Sequence, residues 1–458
     1  MTARQTILLV NPDWTGIGLQ KQPQFKRIWQ PLDLAIAAAM LEEAGFYVRI
    51  LDNNIKHLSP RSLGKEAEAF DKVFVTSTPY DRWQCPSLDI GFFFQTVGQF
   101  PKNRLYIMGA HVTERPEAIL KQSRARLAIL GEPEQTIVDL ACRDTLDEMP
   151  CDIPGIAYME EGRLVRSAPR RFIQDLDCLP LPAYHLLPMD RYYYEFLGDR
   201  FAILEGSRGC PHQCGFCYLG MYGRRFRQKS LKRLLSETVY VRDRFHVKNI
   251  YFMDLEFGLN RDFVRSFCQG LIQEKMGIRW CCQTRVSDVD NRLLALMKQA
   301  GCSLIHFGVE AGSPRILSQT GKGITVSECV RAVSLARKNG IRTALFMNFG
   351  FPGETLADME ATIRLAIRLN PDYVAFHLIV PFPGTRLARE IKLDPEAFPA
   401  HLYPHYNFVH HDLGSLKSTL RKAYLRFYLR PSYLVRAIKG QALAGWGQGK
   451  LFLRVLRG

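Results

Sequence analysis

What most restricts the fold of this chain is that it alternates, twice over, between short β-branched runs and stretches of helical periodicity. The first such run covers residues 1–145. "TILLVNP" leads into the apolar-periodic "LDLAIAAAMLEEAG", and "YVRILDNN", "KVFVTST", "RLYIMGA" and "LAILGE" follow, each trailed by a segment of helical pattern. Strands alternating with helices build parallel β-α-β units with right-handed crossovers, and five of them predict an open, doubly wound (Rossmann-like) α/β sheet. Ligands of such sheets sit at the carboxyl ends of the strands. Those ends carry Asn11; Asp52; Thr76, Ser77 and Thr78; Gly109, Ala110 and His111; and Gly131 and Glu132. They are small and polar, as a cofactor crevice requires, although such residues also end strands that bind nothing.

Residues 146–198 change character. "PGIAY", "LPLPAY" and "LLPMDRYYYEF" are rich in proline and tyrosine and weakly periodic, which reads as a linker crossing between domains. From 199 to 390 the alternation resumes with "FAILEGS", "NIYFMDL", "RWCCQTRV", "SLIHFGVE", "TALFMNFGF" and "DYVAFHLIVPF". Six strands and five helices predict a partial (β/α)6 barrel, whose chemistry belongs on the loops after the strands.

The loop after the first of these strands reads "SRGCPHQCGFCYLG" and holds Cys210, Cys214 and Cys217. The chain starts without a signal peptide pattern and has no apolar run near the ~18 residues that span a bilayer. A cytoplasmic location is expected, where clustered cysteines read as metal ligands and not as disulfides. Of the twelve cysteines, the other nine are scattered through strand-like and helix-like segments, where most of them are expected in the core. Two readings fit the 210–217 spacing. Structural zinc needs a fourth tight ligand, and His212 is the nearest candidate, awkwardly placed inside the loop. An iron–sulfur cubane needs one external ligand per iron, so three cysteines leave one iron open to a substrate or cofactor.

"CPHQCGFC", with Phe216 before the third cysteine, resembles the three-cysteine motif of the radical S-adenosylmethionine (radical SAM) superfamily. The resemblance implies a 4Fe–4S cluster on Cys210, Cys214 and Cys217 whose open iron chelates S-adenosylmethionine. It further implies cleavage of that cofactor to a 5′-deoxyadenosyl radical. "YFMDLEFG" (Asp254, Glu256), "FGVEAGS" (Glu310), "TGKG" (Lys322), "GFPGET" (Gly350, Gly353, Glu354) and "PFPGT" follow in the order of the barrel strands. Together they are similar to the subgroup that carries an N-terminal cobalamin-binding domain, the group of class B methyltransferases and anaerobic magnesium-protoporphyrin ester cyclases. That likeness covers roughly residues 1–390 and assigns Phe216, Asp254, Glu256, Glu310, Gly350 and Gly353 to cofactor contact. In the first domain it assigns the strand-end residues named above, Asp52 excepted, together with Tyr80.

The chain departs from many cobalamin proteins in lacking the Asp-x-His-x-x-Gly signature. His57 and His111 are without its context, so the resemblance implies a cobalt with no protein histidine beneath it and Tyr80 or Trp83 covering that face. The activity implied is methylation of an unactivated carbon of a small-molecule or lipid-like substrate. Oxidation or ring closure without methyl transfer is the second reading, and a radical methylthiotransferase acting on RNA ranks lower. The family also implies an electron donor such as a flavodoxin or ferredoxin.

The formal net charge of +16 is uneven: residues 414–458 hold ten Lys and Arg and no acid. Leu420, Tyr424, Phe427 and Tyr428 recur at helical spacing there, among Arg421, Lys422, Arg426 and Arg430. This basic helical region, 391–458, is expected either to pack its apolar side on the barrel or to lie peripherally on an anionic membrane. Nucleic acid is the weaker partner for it.

Overall fold

The computed structural model describes residues 5–14, 28–143, 149–402 and 413–436. Its first sheet is built from β1 (Thr6–Asn11), β2 (Tyr47–Asp52), β3 (Lys72–Thr76), β4 (Leu105–Met108) and β5 (Leu127–Ile129). These are the five expected strands, all parallel, in the order β2-β1-β3-β4-β5. Helices cover both faces, so Ile7, Leu8, Leu9 and Val10 of β1 are all fully buried, and the strand reads as one apolar run. The strand order reverses between β1 and β3, which puts a ligand crevice at their carboxyl ends.

The segment expected to be a linker does more than connect. Its β6 (Ile156–Glu160) and β7 (Arg163–Arg166) form an antiparallel hairpin that pairs onto β5 and lengthens the sheet to seven strands. The two-residue turn is Glu161-Gly162, both at positive φ (47° and 80°), the backbone sense that matches strand twist. Beyond the hairpin the tyrosines enter the core. Tyr184 donates to the carbonyl of Ile203 at 2.5 Å, and Tyr192 to Asp52 Oδ2 at 2.7 Å. Tyr194 stacks edge-on against Trp29 at 5.0 Å.

The second sheet contains β8 (Phe201–Leu204), β11 (Asn249–Phe252), β12 (Arg279–Thr284), β13 (Cys302–Glu310), β14 (Arg342–Phe349) and β15 (Tyr373–Leu378). All six expected strands are present and parallel, with β8 and β15 as the two edges of an open arc. Between β8 and β11 a short antiparallel pair, β9 (Ser207–Arg208) and β10 (Arg227–Gln228), pinches the base of the cysteine loop. The helices start where the sequence caps them. Thr325 with Glu328, and Thr355 with Asp358, form reciprocal capping boxes that pair the first amide groups of their helices.

The basic helix Leu413–Tyr428 lies along β15. The Tyr424 hydroxyl accepts from the amide of Phe376 and donates to its carbonyl, and Tyr428 does the same with Val374, at 2.8–3.1 Å. Two hydroxyls thus pair the open edge of the sheet, which is otherwise a template for strand addition. The apolar side of this helix is spent on the barrel, as the packing reading expected. Arg426 and Lys422 pair with Glu360, while Arg430 and Arg436 hold the carbonyl end of helix Leu356–Leu369. The rest of the basic tail, 437–458, lies outside the described residues. Among those described, no helix is long and apolar enough to cross a membrane. Replacing Tyr428 by Phe leaves the Val374 amide and carbonyl without a partner, an expected loss of about 1–3 kcal/mol. A denaturant titration of the variant checks this, and an unchanged midpoint would count against the edge-pairing role.

Of the nine scattered cysteines, Cys268, Cys281, Cys282, Cys302 and Cys329 are buried as expected. Cys85, Cys142, Cys151 and Cys178 are exposed instead, because they sit on loops and a helix end and not on core faces.

Candidate active site

The cysteine loop is fixed by backbone before any metal enters. Gly209 sits at φ +81°, and a Cβ there would lie 2.1 Å from the Arg225 carbonyl, so only glycine lets the strands beside it close. Gly215 donates to the Thr320 carbonyl and accepts from the Leu387 amide, both at 2.8 Å. The loops after β13 and β15 therefore hold the middle of the motif. Phe216 packs edge-on to Phe351 at 5.9 Å, which ties the motif to the "GFPGET" turn after β14.

Cys210, Cys214 and Cys217 are half-buried. Burial pushes the Cys210 thiol up to about 11 and Cys217 well above its usual range, so these two thiols hold their protons and metal binding must release them. Cations wait beside them. Arg285 Nη1 lies 3.7 Å from Cys214 Sγ and its other nitrogen donates to the Lys322 carbonyl. Lys322 Nζ pairs with Glu310 at 2.5 Å; burial opposes its charge, and Glu310 outweighs that. An anionic metal–thiolate group fits this setting.

Among the described residues, the set whose ligand atoms all lie within 4.8 Å of one another is His212, Glu256 and Asp288, and not the three cysteines. His212, the fourth ligand of the zinc reading, thus faces carboxylates at the end of β11 and after β12. Its Nε2 is buried and without a partner.

The expected contact residues take different places. Glu256 accepts from Thr284 and from the Arg285 amide, and burial, helped by the charge of Asp288, pushes it up to about 8. Asp254 accepts from the Gly206 amide at 2.9 Å and the Ser207 hydroxyl at 2.5 Å, so it positions the start of the loop. Glu310 is held in the left-handed region at φ +68° and bonds Asn348 as well as Lys322. Gly350 (φ +89°) donates to Glu354 at 2.6 Å, and Gly353 (φ +68°) completes the turn. Arg285 and Asp288 were not singled out from sequence. The strand-end position of "QTRVSD" was the signal for both.

The strand ends of the first domain are knit together and face the barrel. Asn11 donates to Asp52 at 3.0 Å and accepts from the Trp14 indole. Thr76 donates to the Thr78 carbonyl at 2.6 Å. The Thr78 hydroxyl and Nδ1 of His111 lie 3.1 Å apart, and His111 Nε2 is 2.8 Å from the Ser87 carbonyl. Both ring nitrogens are engaged, and burial lowers the imidazole to about 3. His57 pairs with Asp13. His111 thus has both ring nitrogens engaged, and His57 has one. The ends of β3 and β4 also pack closely: a Cβ on Gly109 (φ +106°), next to Ala110, would lie 2.8 Å from Ser77 Oγ, a buried hydroxyl with no partner. A corrin without a histidine ligand fits these residues.

The loop after β3 crosses to the barrel. Tyr80 donates to Glu205 at the end of β8, Trp83 lies edge-on to Tyr222 at 5.4 Å, and Gln283 donates to Gln84 at 2.7 Å. From β5, Glu132 pairs with Arg227 at 2.8 Å, and the following Glu134 with Arg208 at 2.6 Å. Gly131 donates to Thr113 at 3.0 Å. The strand ends of the two sheets thus close on one another around the cysteine loop.

Known proteins share this arrangement. Residues 204–366 match the family described as the Radical SAM superfamily. An uncharacterized methyltransferase of Pyrococcus horikoshii is 33% identical over 426 residues, 89% of this chain and 90% of the relative. An anaerobic magnesium-protoporphyrin IX monomethyl ester cyclase of Rubrivivax gelatinosus is 29% identical over 340 residues, 71% of this chain and 60% of the relative. OxsB, a cobalamin-dependent S-adenosylmethionine radical enzyme solved with aqua-cobalamin and S-adenosylmethionine, superposes with a TM-score of 0.72 at 17% identity. The match covers 98% of this chain and 70% of OxsB, a likeness of fold. The chain belongs to the radical SAM superfamily, and is an enzyme of the group that sets a doubly wound domain ahead of the barrel.

Proposed function

We propose that this enzyme is a cobalamin-dependent radical SAM methyltransferase that methylates an unactivated carbon of a small-molecule or lipid-like substrate. The observation that carries the reading is the apposition of a partly unpaired strand-end crevice, whose His111 is engaged at both ring nitrogens, and the three-cysteine loop across one interface. The full-length likeness to a methyltransferase supports it. When bound, the cluster with S-adenosylmethionine supplies a 5′-deoxyadenosyl radical, and cobalamin supplies a transferable methyl group.

The chain's own residues hold and shield. Cys210, Cys214 and Cys217 would ligate three irons, with Arg285 and Lys322 balancing their charge. Glu256, Asp288 and His212 gather beside the loop, where they would receive the polar end of S-adenosylmethionine. Glu310 and Asn348, already bonded to each other, would meet its ribose side. Tyr80 and Trp83 would wall the lower side of the corrin and exclude water from it. A small ferredoxin or flavodoxin would deliver the electron, in the cytoplasm.

Oxidation or ring closure without methyl transfer is the second reading, favoured by the 29% identity to the ester cyclase. Anaerobic purification with iron, sulfide and corrin quantified tests the first. About four irons and one corrin per chain are expected, and four irons with no corrin after cobalamin is supplied would sink it. Methyl-labelled S-adenosylmethionine then separates the two readings, because label enters the product only if a methyl group is transferred.

A further inference from the structure

Where the two domains meet, several polar side chains that are at most 1% exposed lack complete pairing, Arg208 Nη1 among them; four that come from separate elements are Asp33, Trp83, Glu134 and Tyr222. Three come from the first domain and one from the barrel. Trp83 Nε1 has no acceptor, and the second oxygen of Glu134 has no donor once the first has paired with Arg208. Asp33 stands in the first turn of helix Leu32–Glu43. It feels the amides of Asp33 and Leu34, yet neither carboxyl oxygen makes a hydrogen bond of normal geometry. The Tyr222 hydroxyl is near Tyr80, likewise without a normal bond.

These groups are neighbours. The rings of Trp83 and Tyr222 are 5.4 Å apart, and Tyr80 bridges to both at 5.0 and 6.5 Å. Asp33 is close enough to Glu134, and Tyr222 to Asp33, for their charges to act on each other. Each buried polar group left unpaired costs about 1–3 kcal/mol, so four would rival the roughly 5–15 kcal/mol that holds a whole domain together. Something polar completes them. The set needs both kinds of partner: Trp83 an acceptor, Glu134 a donor, and Tyr222 either. Burial, with the charge of Glu134 adding to it, pushes Asp33 up to about 8, so near neutrality it is a carboxylic acid that both donates and accepts. A carboxamide offers N–H donors and a C=O acceptor on one planar group, and the rim of a corrin is studded with carboxamides.

We propose that Asp33, Trp83, Glu134 and Tyr222 form a polar clamp that reads the carboxamide rim of the corrin, and so fix how the ring sits relative to the cysteine loop. This rests on the corrin reading above. The clamp joins both domains, so corrin binding completes an interface already closed by Tyr80–Glu205 and Arg208–Glu134.

The test is a titration of the cluster-reconstituted, corrin-free enzyme with hydroxocobalamin, followed by absorbance, with no turnover involved. Asp33→Ala, Trp83→Phe and Tyr222→Phe are each expected to weaken binding about tenfold, one hydrogen bond apiece. Asp33→Asn keeps a donor and an acceptor in the same shape and is expected to bind within about twofold of wild type. Iron content and circular dichroism identify any variant that fails to fold. Tyr222→Phe and the Asp33 Ala/Asn pair change the least volume and decide the matter if Trp83→Phe does not fold. If wild type binds hydroxocobalamin and the folded variants bind it equally, water satisfies these groups and the clamp is refuted. If wild type itself takes up no corrin, the underlying cofactor reading fails, a separate and recognisable result.

Discussion

Replacing Cys210, Cys214 or Cys217 by alanine, one at a time, is expected to reduce the release of 5′-deoxyadenosine from S-adenosylmethionine to below ~1% of wild type, since even outer-shell changes at metal sites cost 10–100-fold. The reason is the count of ligands. Three thiolates anchor three irons and leave one open; removing a thiolate opens a second iron and loosens the cluster as a whole. Iron per chain is therefore expected to fall together with activity, while the protein stays folded, because the loop is held by backbone bonds through Gly215 and by the β9–β10 pair. Cys142→Ala and Cys151→Ala, on the exposed surface, are expected to leave both readouts unchanged. Product quantified by mass spectrometry alongside iron analysis checks all five variants. Retained cleavage in any of the three loop variants would remove the cluster assignment.

The eleven parallel strands were legible because burial on both faces writes them as continuous apolar runs, and the cysteine loop because its spacing serves no packing purpose. What escaped was set by distance in the chain. The bonds from Gly206 and Ser207 to the two oxygens of Asp254 join residues 48 and 47 positions apart, which only the fold brings together. The proline- and tyrosine-rich segment looked like a linker because it has no period. Tyr184 and Tyr192 are nevertheless core residues, each burying its ring while its hydroxyl finds a partner, Ile203 and Asp52. Arg208 drew no notice at all. It is one basic residue before a metal motif, and its three acidic partners are contributed by both domains.

That arginine carries the largest expected effect on stability. Its guanidinium is fully buried and lies 2.6 Å from Glu134, 2.8 Å from Glu205 and 3.6 Å from Glu132. Arg208→Met is expected to cost about 3–5 kcal/mol, because breaking a buried pair from one side leaves carboxylates uncompensated in the interface. Arg208→Lys should restore little of this, since one ammonium cannot reproduce the planar fork that meets several carboxylates at once. Glu134→Gln in the Met background should recover part of the loss, and the coupling can be read from the double-mutant cycle. The pH dependence supplies the sign. Burial alone would raise Glu205, but Arg208 and Lys229 outweigh it and hold the carboxyl below its usual range. In wild type its contribution is therefore present above the unfolded carboxylate pKa and is lost as pH falls through the lower folded value. Without Arg208, burial dominates and Glu205 joins Glu134 in the raised class, whose contribution is lost as pH rises through the folded pKa. The stability difference between wild type and Arg208→Met should accordingly widen from pH 5 to pH 8. Anaerobic denaturant titrations at both pH values measure it, and a difference that stays constant or narrows would mean that Arg208 is not what keeps these carboxylates charged across the interface.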